Sequence, residues 1–245
     1  MEYSLKKSDW EAYGQSIMYF EKEKNGDHLL LEDIKAEKIL IAIIADGISN
    51  LPCDWLASEL TCNKFFEFFI KCNSLPIKER IKESVNLTNN HLLSIADKCK
   101  GLAATLSLIV WEYESQHFYF VNIGDSRIYN ISNDKMNCLT KDDSIKSTRI
   151  VQISGEIQTR DFAPLTNYMG KQLAEILIHE GNIRKGEMLL LASDGFYEVR
   201  KSSFENRIIE LSRAEDLHSD FDELFRKFAI LPGDDMTALL IRKLE

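Results

Sequence analysis

Four apolar runs of this chain end or begin at an aspartate, and this recurrence limits the fold more than any other feature. The clearest case is LLLASDGFYE, residues 189–198, in which a leucine run leads into Ser193-Asp194-Gly195. The pattern recurs in LIAIIADGIS, FVNIGDSRIY and LPGDDMTALLI, which contain Asp46, Asp125 and Asp234. Apolar runs of this length indicate buried strands, so each carboxylate is predicted to lie at a strand end. A tight turn explains any one Asp-Gly pair well, but it explains the whole set less well.

Two of the predicted strands, 28–34 and 39–45, flank the sequence KAEK and are expected to form a hairpin. Residues whose numbers sum to the same value then face each other, which places Asp27 opposite Asp46 at the open end, about 5 Å apart. Two facing carboxylates repel each other unless a cation lies between them. If the other strand ends gather at the same rim, an all-oxygen site suited to Mg²⁺ or Mn²⁺ results, with further carboxylates from Asp125, Asp194 and Asp234.

Hydrophobic periodicity predicts strands interrupted by two pairs of helices. The predicted strands are 13–20, 28–34, 39–45, 103–113, 117–124, 127–132, 135–139, 174–180, 187–193 and 236–243. The predicted helices are 53–72, 77–99, 203–213 and 220–229, with candidate caps Ser202-x-x-Glu205 and Ser219-x-x-Asp222 before the last two. The runs ILIAIIA and MLLLA are apolar on both faces, as in strands covered on both sides. We therefore expect a layered α/β sandwich, with two stacked sheets and helices on both outer faces.

Composition narrows the function classes. The formal net charge of −9 argues against a nucleic-acid or anionic-membrane surface. The longest purely apolar run, residues 39–45, is too short to cross a bilayer, and the N-terminus lacks the apolar segment of a secretory signal. No linker is evident, so we expect one domain over residues 1–245. An odd number of cysteines without metal-ligand spacing predicts reduced thiols in a cytosolic protein: Cys53, Cys62, Cys72, Cys99 and Cys138.

The ordered motifs carry a family resemblance. NGD at 25–27, IAIIADG, GLAATLSLIVWE, FVNIGDSRIY, LTKDDS, APLTNYMG, LLLASDGFYE and DDMTALLI occur in the order found in the metal-dependent Ser/Thr protein phosphatases of type 2C, especially bacterial ones. The chain resembles them over residues 13–243. The resemblance implies a four-layer α/β (α+β) sandwich, in which two stacked, mainly antiparallel sheets are flanked by helix pairs. Residues 141–172 would then include the flap that the family places beside its site.

The resemblance also implies a set of metal ligands for two, possibly three, Mn²⁺ or Mg²⁺ ions: Asp27, Asp46, Gly47, Asp125, Asp194 and Asp234. Asp46 resembles the carboxylate that bridges two ions, with the Gly47 carbonyl beside it, while Asp194 and Asp234 resemble the ligands of one ion. A water molecule positioned by these three aspartates would attack the phosphorus of phosphoserine or phosphothreonine in line.

The two remaining carboxylates have other implied roles. Asp27 lies where the family holds the second ion, often through water, and Asp125 resembles the contributor to a third ion. Lys22 stands where the family often has an arginine that grips the substrate phosphate, and it can supply charge without the bidentate fork. Ile48 replaces a histidine that is a proposed acid for the leaving group.

We therefore expect a cytoplasmic, monomeric protein-serine/threonine phosphatase that acts on phosphorylated proteins, opposes a Ser/Thr kinase, and engages neither nucleic acid nor membrane. The departures at Lys22 and Ile48 leave an alternative open, a non-catalytic module that binds phosphoproteins on the same fold. A further alternative is a dedicated partner-switch phosphatase for one small regulatory protein.

Overall fold

The computed structural model describes residues 1–132, 134–145, 147–153, 156–199, 202–229 and 233–244. Its strands are β1 (Glu2–Lys6), β2 (Trp10–Ile17), β3 (Asp27–Ile34), β4 (Ile39–Asp46), β5 (Leu106–Glu112), β6 (His117–Ile123), β7 (Arg127–Ser132), β8 (Lys135–Cys138), β9 (Ser147–Ile153), β10 (Glu156–Phe162), β11 (His179–Asn182), β12 (Met188–Ala192) and β13 (Met236–Lys243). Its α-helices are α1 (Asp54–Lys71), α2 (Ile77–Ile95), α3 (Asp194–Tyr197), α4 (Phe204–Ser212) and α5 (Leu217–Phe228).

Two antiparallel sheets form the centre of the described structure. One has six strands in the order β1-β2-β13-β12-β7-β8, and the other has five in the order β11-β6-β5-β4-β3. The apolar layer between the sheets includes Trp10, Leu40 and Trp111. Helices α1 and α2 pack on the outer face of the five-stranded sheet, and α4 and α5 pack on the six-stranded sheet. The predicted four-layer α/β sandwich is confirmed.

The doubly apolar strands occupy the positions that their sequences require. In β4, Ile41 and Ile43 face the helix layer, while Leu40 and Ile44 face the other sheet. Strand β12 alternates in the same way between α4–α5 and the inter-sheet core. Both strands are buried on two sides, so each is a rigid support for the aspartate at its C-terminal end.

Several predicted boundaries were wrong. The predicted strand 13–20 is shifted to Trp10–Ile17, and the predicted strand 174–180 overlaps the short strand His179–Asn182 only at residues 179 and 180. Strand β1 was missed because it is a sheet edge with alternately exposed residues, so its apolar signal is weak. The region 141–172, for which no strand was predicted, contains the hairpin β9–β10, which forms a small sheet of its own.

The helix ends also differ from prediction. Helix α2 stops at Ile95 and continues as a 3₁₀ turn over Ala96–Cys99. Helix α5 begins before the predicted cap, because Asp216 accepts a hydrogen bond from the Ser219 backbone N–H at 3.2 Å. Helix α4 is preceded by Ser203 rather than by the predicted cap Ser202.

The expectation of reduced cysteines was wrong for one pair. Cys53 and Cys99 form a disulfide, with their Cα atoms 5.9 Å apart. Helices α1 and α2 run back along each other, and this brings the turn after α2 next to the residue that precedes α1. That proximity depends on the helix packing, so the spacing of 46 residues did not reveal it. Cys62, Cys72 and Cys138 are free thiols.

Candidate metal centre

An open cavity of about 130 Å³ lies where the ends of several strands meet. Its lining includes four of the five aspartates selected from the sequence, together with the predicted carbonyl ligand: Asp46, Gly47, Ile48, Ser49, Thr105, Asp125, Leu165, Asp194 and Asp234. The expected gathering of strand ends is therefore present for these four. The carboxylates line the cavity but do not converge on one point: within the described ranges, no three His, Cys, Asp or Glu side chains are close enough together to bind one metal ion.

The fifth aspartate, Asp27, lies beside this cavity at the open end of the β3–β4 hairpin. It pairs directly with Asp46, the register expected from the sequence. Its side chain is only 3% exposed; one oxygen accepts a hydrogen bond from Ser193 Oγ at 2.8 Å, and the other, Oδ1, has no partner. Burial raises the pKa of Asp27 to about 7. Burial and the charge of Asp27 raise the pKa of Asp46 well above its usual value.

Asp194 begins α3 directly after β12. Its Oδ1 atom is buried without a partner, and burial together with the charge of Asp234 raises the pKa of its carboxyl. A Cβ atom on Gly195 would lie 1.9 Å from the backbone oxygen of Asp235, so only glycine allows the two chain segments to approach this closely. This contact holds the end of β12 against the segment that carries Asp234.

Asp125 follows β6 in a tight turn. Gly124 has a φ of +109°, a left-handed conformation that glycine adopts without strain. The Asp143 backbone N–H donates to the Gly124 carbonyl at 2.8 Å, so the turn is tied to the segment after β8. Burial and the charge of Asp194 raise the pKa of Asp125 to about 7.

Thr105 supports Asp46, and no sequence motif pointed to this role. Its backbone N–H donates to the Asp46 carbonyl at 2.7 Å, and its Oγ1 accepts from the Asp46 backbone N–H at 2.9 Å. The hydroxyl also lies 2.9 Å from Ser126 Oγ. Thr105 therefore joins the end of β4 to the start of β5 and to the turn that carries Asp125. A single threonine before an apolar run does not stand out by spacing or composition.

Lys22 lies at the edge of the site, but its ammonium group is bound to aspartates. Its Nζ is 2.8 Å from Asp234 Oδ1 and 2.6 Å from Asp235 Oδ2. Partial burial by itself lowers the pKa of Lys22, but the hydrogen bonds to both carboxylates outweigh it and the pKa is raised. The role of Lys22 toward a substrate phosphate stays a prediction.

The donors of this centre fit a hard divalent cation. All the candidate side-chain ligands are carboxylates, and two of them have a buried oxygen without a hydrogen-bond partner, namely Asp27 and Asp194. Burial, and after it the charges of neighbouring carboxylates, raise the pKa values of Asp46 and Asp125, so these groups resist ionisation in the metal-free protein. Mn²⁺ or Mg²⁺ would satisfy the oxygens and offset the repulsion.

Comparison with known proteins is consistent with this geometry. Residues 74–244 match the family described as stage II sporulation protein E (SpoIIE). A serine/threonine phosphatase Stp from Listeria innocua is 25% identical over 222 residues, which cover 84% of this chain and 86% of that protein. These matches confirm the family resemblance seen in the ordered motifs.

Solved structures share the fold at low identity. The serine/threonine phosphatase PstP/Ppp from Mycobacterium tuberculosis aligns with a TM-score of 0.75 at 17% identity, covering 97% of this chain and 100% of that one. The catalytic domain of PstP in complex with two manganese ions aligns with a TM-score of 0.73 at 16% identity, covering 97% of this chain and 99% of that one. RsbX in complex with magnesium aligns with a TM-score of 0.67 at 14% identity, covering 99% of this chain and 100% of that one.

Proposed function

This chain belongs to the SpoIIE family, and from this premise we propose that it is a protein-serine/threonine phosphatase that depends on a divalent metal ion. The observation that carries the proposal is the cavity lined by Asp46, Asp125, Asp194 and Asp234, with Asp27 buried beside it. The matched Listeria phosphatase and the metal-bound structures of PstP and RsbX support both the enzyme class and the metal dependence.

We propose the metal ligands that the family resemblance implies. Asp46 and the Gly47 carbonyl would contact two ions, Asp194 and Asp234 would hold one of them, and Asp27 would hold the other. Asp125, which also lines the cavity, would contribute to a third, weaker ion. Mn²⁺ or Mg²⁺ bound here would lower the pKa of a water molecule and neutralise charge on the phosphoryl oxygens. Strands β4 and β12 keep the carboxylates at fixed separations.

The protein also shapes the surroundings of the phosphoryl group. Lys22 lies beside Asp234 and would bind a phosphate oxygen with its ammonium group once an ion neutralises Asp234. Ile48 and Leu165 contribute apolar surface to the cavity wall. Ile48 has no titratable group, so it cannot donate a proton to the leaving hydroxyl.

The proposed substrate is a phosphoprotein, and the proposed cellular role is to oppose a Ser/Thr kinase from the cytoplasm as a monomeric, single-domain enzyme. Residues 141–172 would form the flap. Among the described residues, no helix has the length and apolarity needed to cross a bilayer. A second candidate, a non-catalytic phosphoprotein-binding module, is favoured by the two departures at the site: the apolar Ile48 in the cavity wall, and Lys22, whose ammonium group is paired with Asp234 and Asp235.

The test is a phosphatase assay on the full chain. With Mn²⁺, the wild-type protein should hydrolyse a phosphothreonine peptide and p-nitrophenyl phosphate, and EDTA should stop both reactions. Asp194→Ala should abolish turnover, whereas Asp134→Ala, which changes an exposed aspartate paired with Arg213, should not. Turnover that survives EDTA and Asp194→Ala would refute the mechanism. Phosphopeptide binding without turnover would favour the non-catalytic module.

A further inference from the structure

Residues 18–26, here called the crossover loop, connect the two sheets along one side of the metal centre. The loop leaves β2 in the six-stranded sheet and enters β3 in the five-stranded sheet at Asp27. It carries Lys22 and has no regular secondary structure. Within the loop, the Lys22 backbone N–H donates to the Tyr19 carbonyl at 3.0 Å. An irregular loop of this kind needs an external anchor if Lys22 is to keep a fixed position.

Asp235 provides this anchor. Its carboxylate is 2% exposed, and it accepts hydrogen bonds from the Tyr19 backbone N–H at 2.7 Å, the Gly26 backbone N–H at 2.7 Å and Lys22 Nζ at 2.6 Å. The three donors lie near the start, in the middle and at the end of the crossover loop. We propose that Asp235 is a positioning residue for catalysis, which holds the crossover loop so that the Lys22 ammonium lies beside the cavity at the Asp234 carboxylate.

The proposal rests on the proposed function, and it assigns Asp235 a role distinct from that of its neighbour. Asp234 lines the cavity, whereas Asp235 does not and acts through Lys22. Asp235 is also fixed from its own side, because its backbone N–H donates to Asp234 Oδ1 at 2.8 Å and its carbonyl oxygen packs closely on Gly195. Asp235 is therefore held by contacts with the residue that follows Asp194 and with Asp234 itself.

A carboxylate is needed at this position for a simple reason of hydrogen bonding. Asp235 Oδ1 serves one donor and Oδ2 serves two, one of them a cation. In Asp235→Asn one oxygen becomes an NH₂ group, which cannot accept from the groups that face it. Hydrogen bonds to charged groups are about twice as strong as neutral ones, so the contact to Lys22 is the costliest to lose. The loop would then keep at most part of its anchor.

The test combines kinetics with hydrogen exchange on the full chain. In the presence of Mn²⁺, Asp235→Asn should lower kcat/KM for a phosphothreonine peptide about tenfold, mainly through KM, and Lys22→Met should lower it by a similar factor. Because Asp235 acts through Lys22, the double variant should be no worse than Lys22→Met. The matched change Asp216→Asn, at the start of α5, should leave kcat/KM unchanged.

A second variant disturbs the contact between Asp235 and the end of the crossover loop without changing the Asp235 carboxylate. A Cβ atom on Gly26 would lie 3.0 Å from Asp235 Oδ2 and 3.0 Å from Asp54 Oδ2, so Gly26→Ala should shift the end of the loop relative to its anchor and raise KM in the same direction as Asp235→Asn. Multiplicative losses in the double variant, or an unchanged kcat/KM in Asp235→Asn, would overturn the proposal.

Hydrogen exchange separates failure of this proposal from failure of the proposed function. In the metal-free protein, the Tyr19 and Gly26 amides should be protected, and Asp235→Asn should speed their exchange about tenfold or more while the exchange of β4 amides stays unchanged. This readout does not depend on turnover. If the wild-type protein shows protection but no phosphatase activity, only the function fails. If Asp235→Asn leaves both amides protected, the anchor itself is refuted.

Discussion

Asp27 and Asp46 face each other as a strand pair at the open end of the β3–β4 hairpin, and one Asp27 oxygen is buried without a partner. Strand pairing holds their backbones together, so the hairpin keeps both carboxyl groups at the same end of the metal centre. Repulsion between the two carboxylates destabilises the metal-free protein, and a divalent cation bound between them relieves this repulsion. The paired carboxylates therefore lower the stability of the metal-free protein and raise its affinity for the metal ion.

The first prediction tests both effects of the Asp27 carboxylate, on stability without metal and on metal affinity. In Asp27→Asn the amide removes one negative charge while the Ser193 hydroxyl can still donate to the remaining oxygen. We expect the metal-free variant to unfold at a temperature a few degrees higher than the wild type, and to bind Mn²⁺ about tenfold more weakly. Thermal unfolding in EDTA and calorimetric titration with Mn²⁺ measure the two effects.

The control for this prediction lies on the same strand. Asp33→Asn, at the other end of β3, removes a carboxylate that pairs with Lys7 Nζ at 2.6 Å. It should leave Mn²⁺ affinity unchanged. Equal Mn²⁺ affinity in the wild type and Asp27→Asn would show that Asp27 is not part of the metal centre.

The register of this hairpin and the burial of β4 on both faces followed from the sequence, because period and turn position fix strand pairing. The contacts made by loops did not follow. Lys22 was selected as a phosphate ligand, but its bonds to Asp234 and Asp235 depend on how the crossover loop passes between the sheets. No role was predicted for Asp235, since hydrophobic periodicity carries no information about which distant amides a carboxylate will face.

The disulfide provides a second prediction. Replacement of Cys53 and Cys99 by serine should lower the free energy of unfolding by roughly 4 kcal/mol, the chain-entropy value for a cross-link over 46 residues. The effect arises because the reduced unfolded chain is less restricted. Denaturant unfolding measures it, and peptide mapping without reductant should recover the linked pair. Cys138→Ser, which changes an exposed free thiol, is the control. Free thiols at both positions in unreduced protein would contradict the assignment.

A third prediction concerns pH and the buried pair between β2 and β13. Glu11 is 1% exposed and faces Arg242 across the two strands, with Arg242 Nε donating to Glu11 Oε1 at 2.8 Å. Burial by itself raises the pKa of Glu11, but the hydrogen bond and charge of Arg242 outweigh it, so the pKa is lowered. A lowered carboxyl pKa adds stability above the pKa of the unfolded chain, and this stability is lost as pH falls through the folded pKa.

Glu11→Gln should therefore lower the free energy of unfolding by about 3 kcal/mol at pH 7, because it leaves Arg242 buried without its counter-charge. The difference from the wild type should shrink as pH falls below the ordinary carboxyl range. Denaturant unfolding at a series of pH values measures it. Glu223→Gln, which breaks an exposed pair with Lys227, should have little effect. A difference that does not change with pH would show that the ion pair is not its source.

The last prediction concerns the contact that sets the spacing of Asp194 and Asp234. Gly195 does not have the left-handed backbone that often explains a glycine; it is needed for space, because a Cβ atom would lie 1.9 Å from the Asp235 carbonyl oxygen. Gly195→Ala must push α3 away from the segment before β13, and we expect a loss of about 3 kcal/mol in unfolding free energy together with weaker Mn²⁺ binding. Gly233→Ala is the matched control, since among the described residues other than its chain neighbours no atom lies within 4 Å of a Cβ at that position. Denaturant unfolding and calorimetric titration of both variants would decide the matter: wild-type Mn²⁺ affinity in Gly195→Ala would mean that this close approach does not set the ligand spacing.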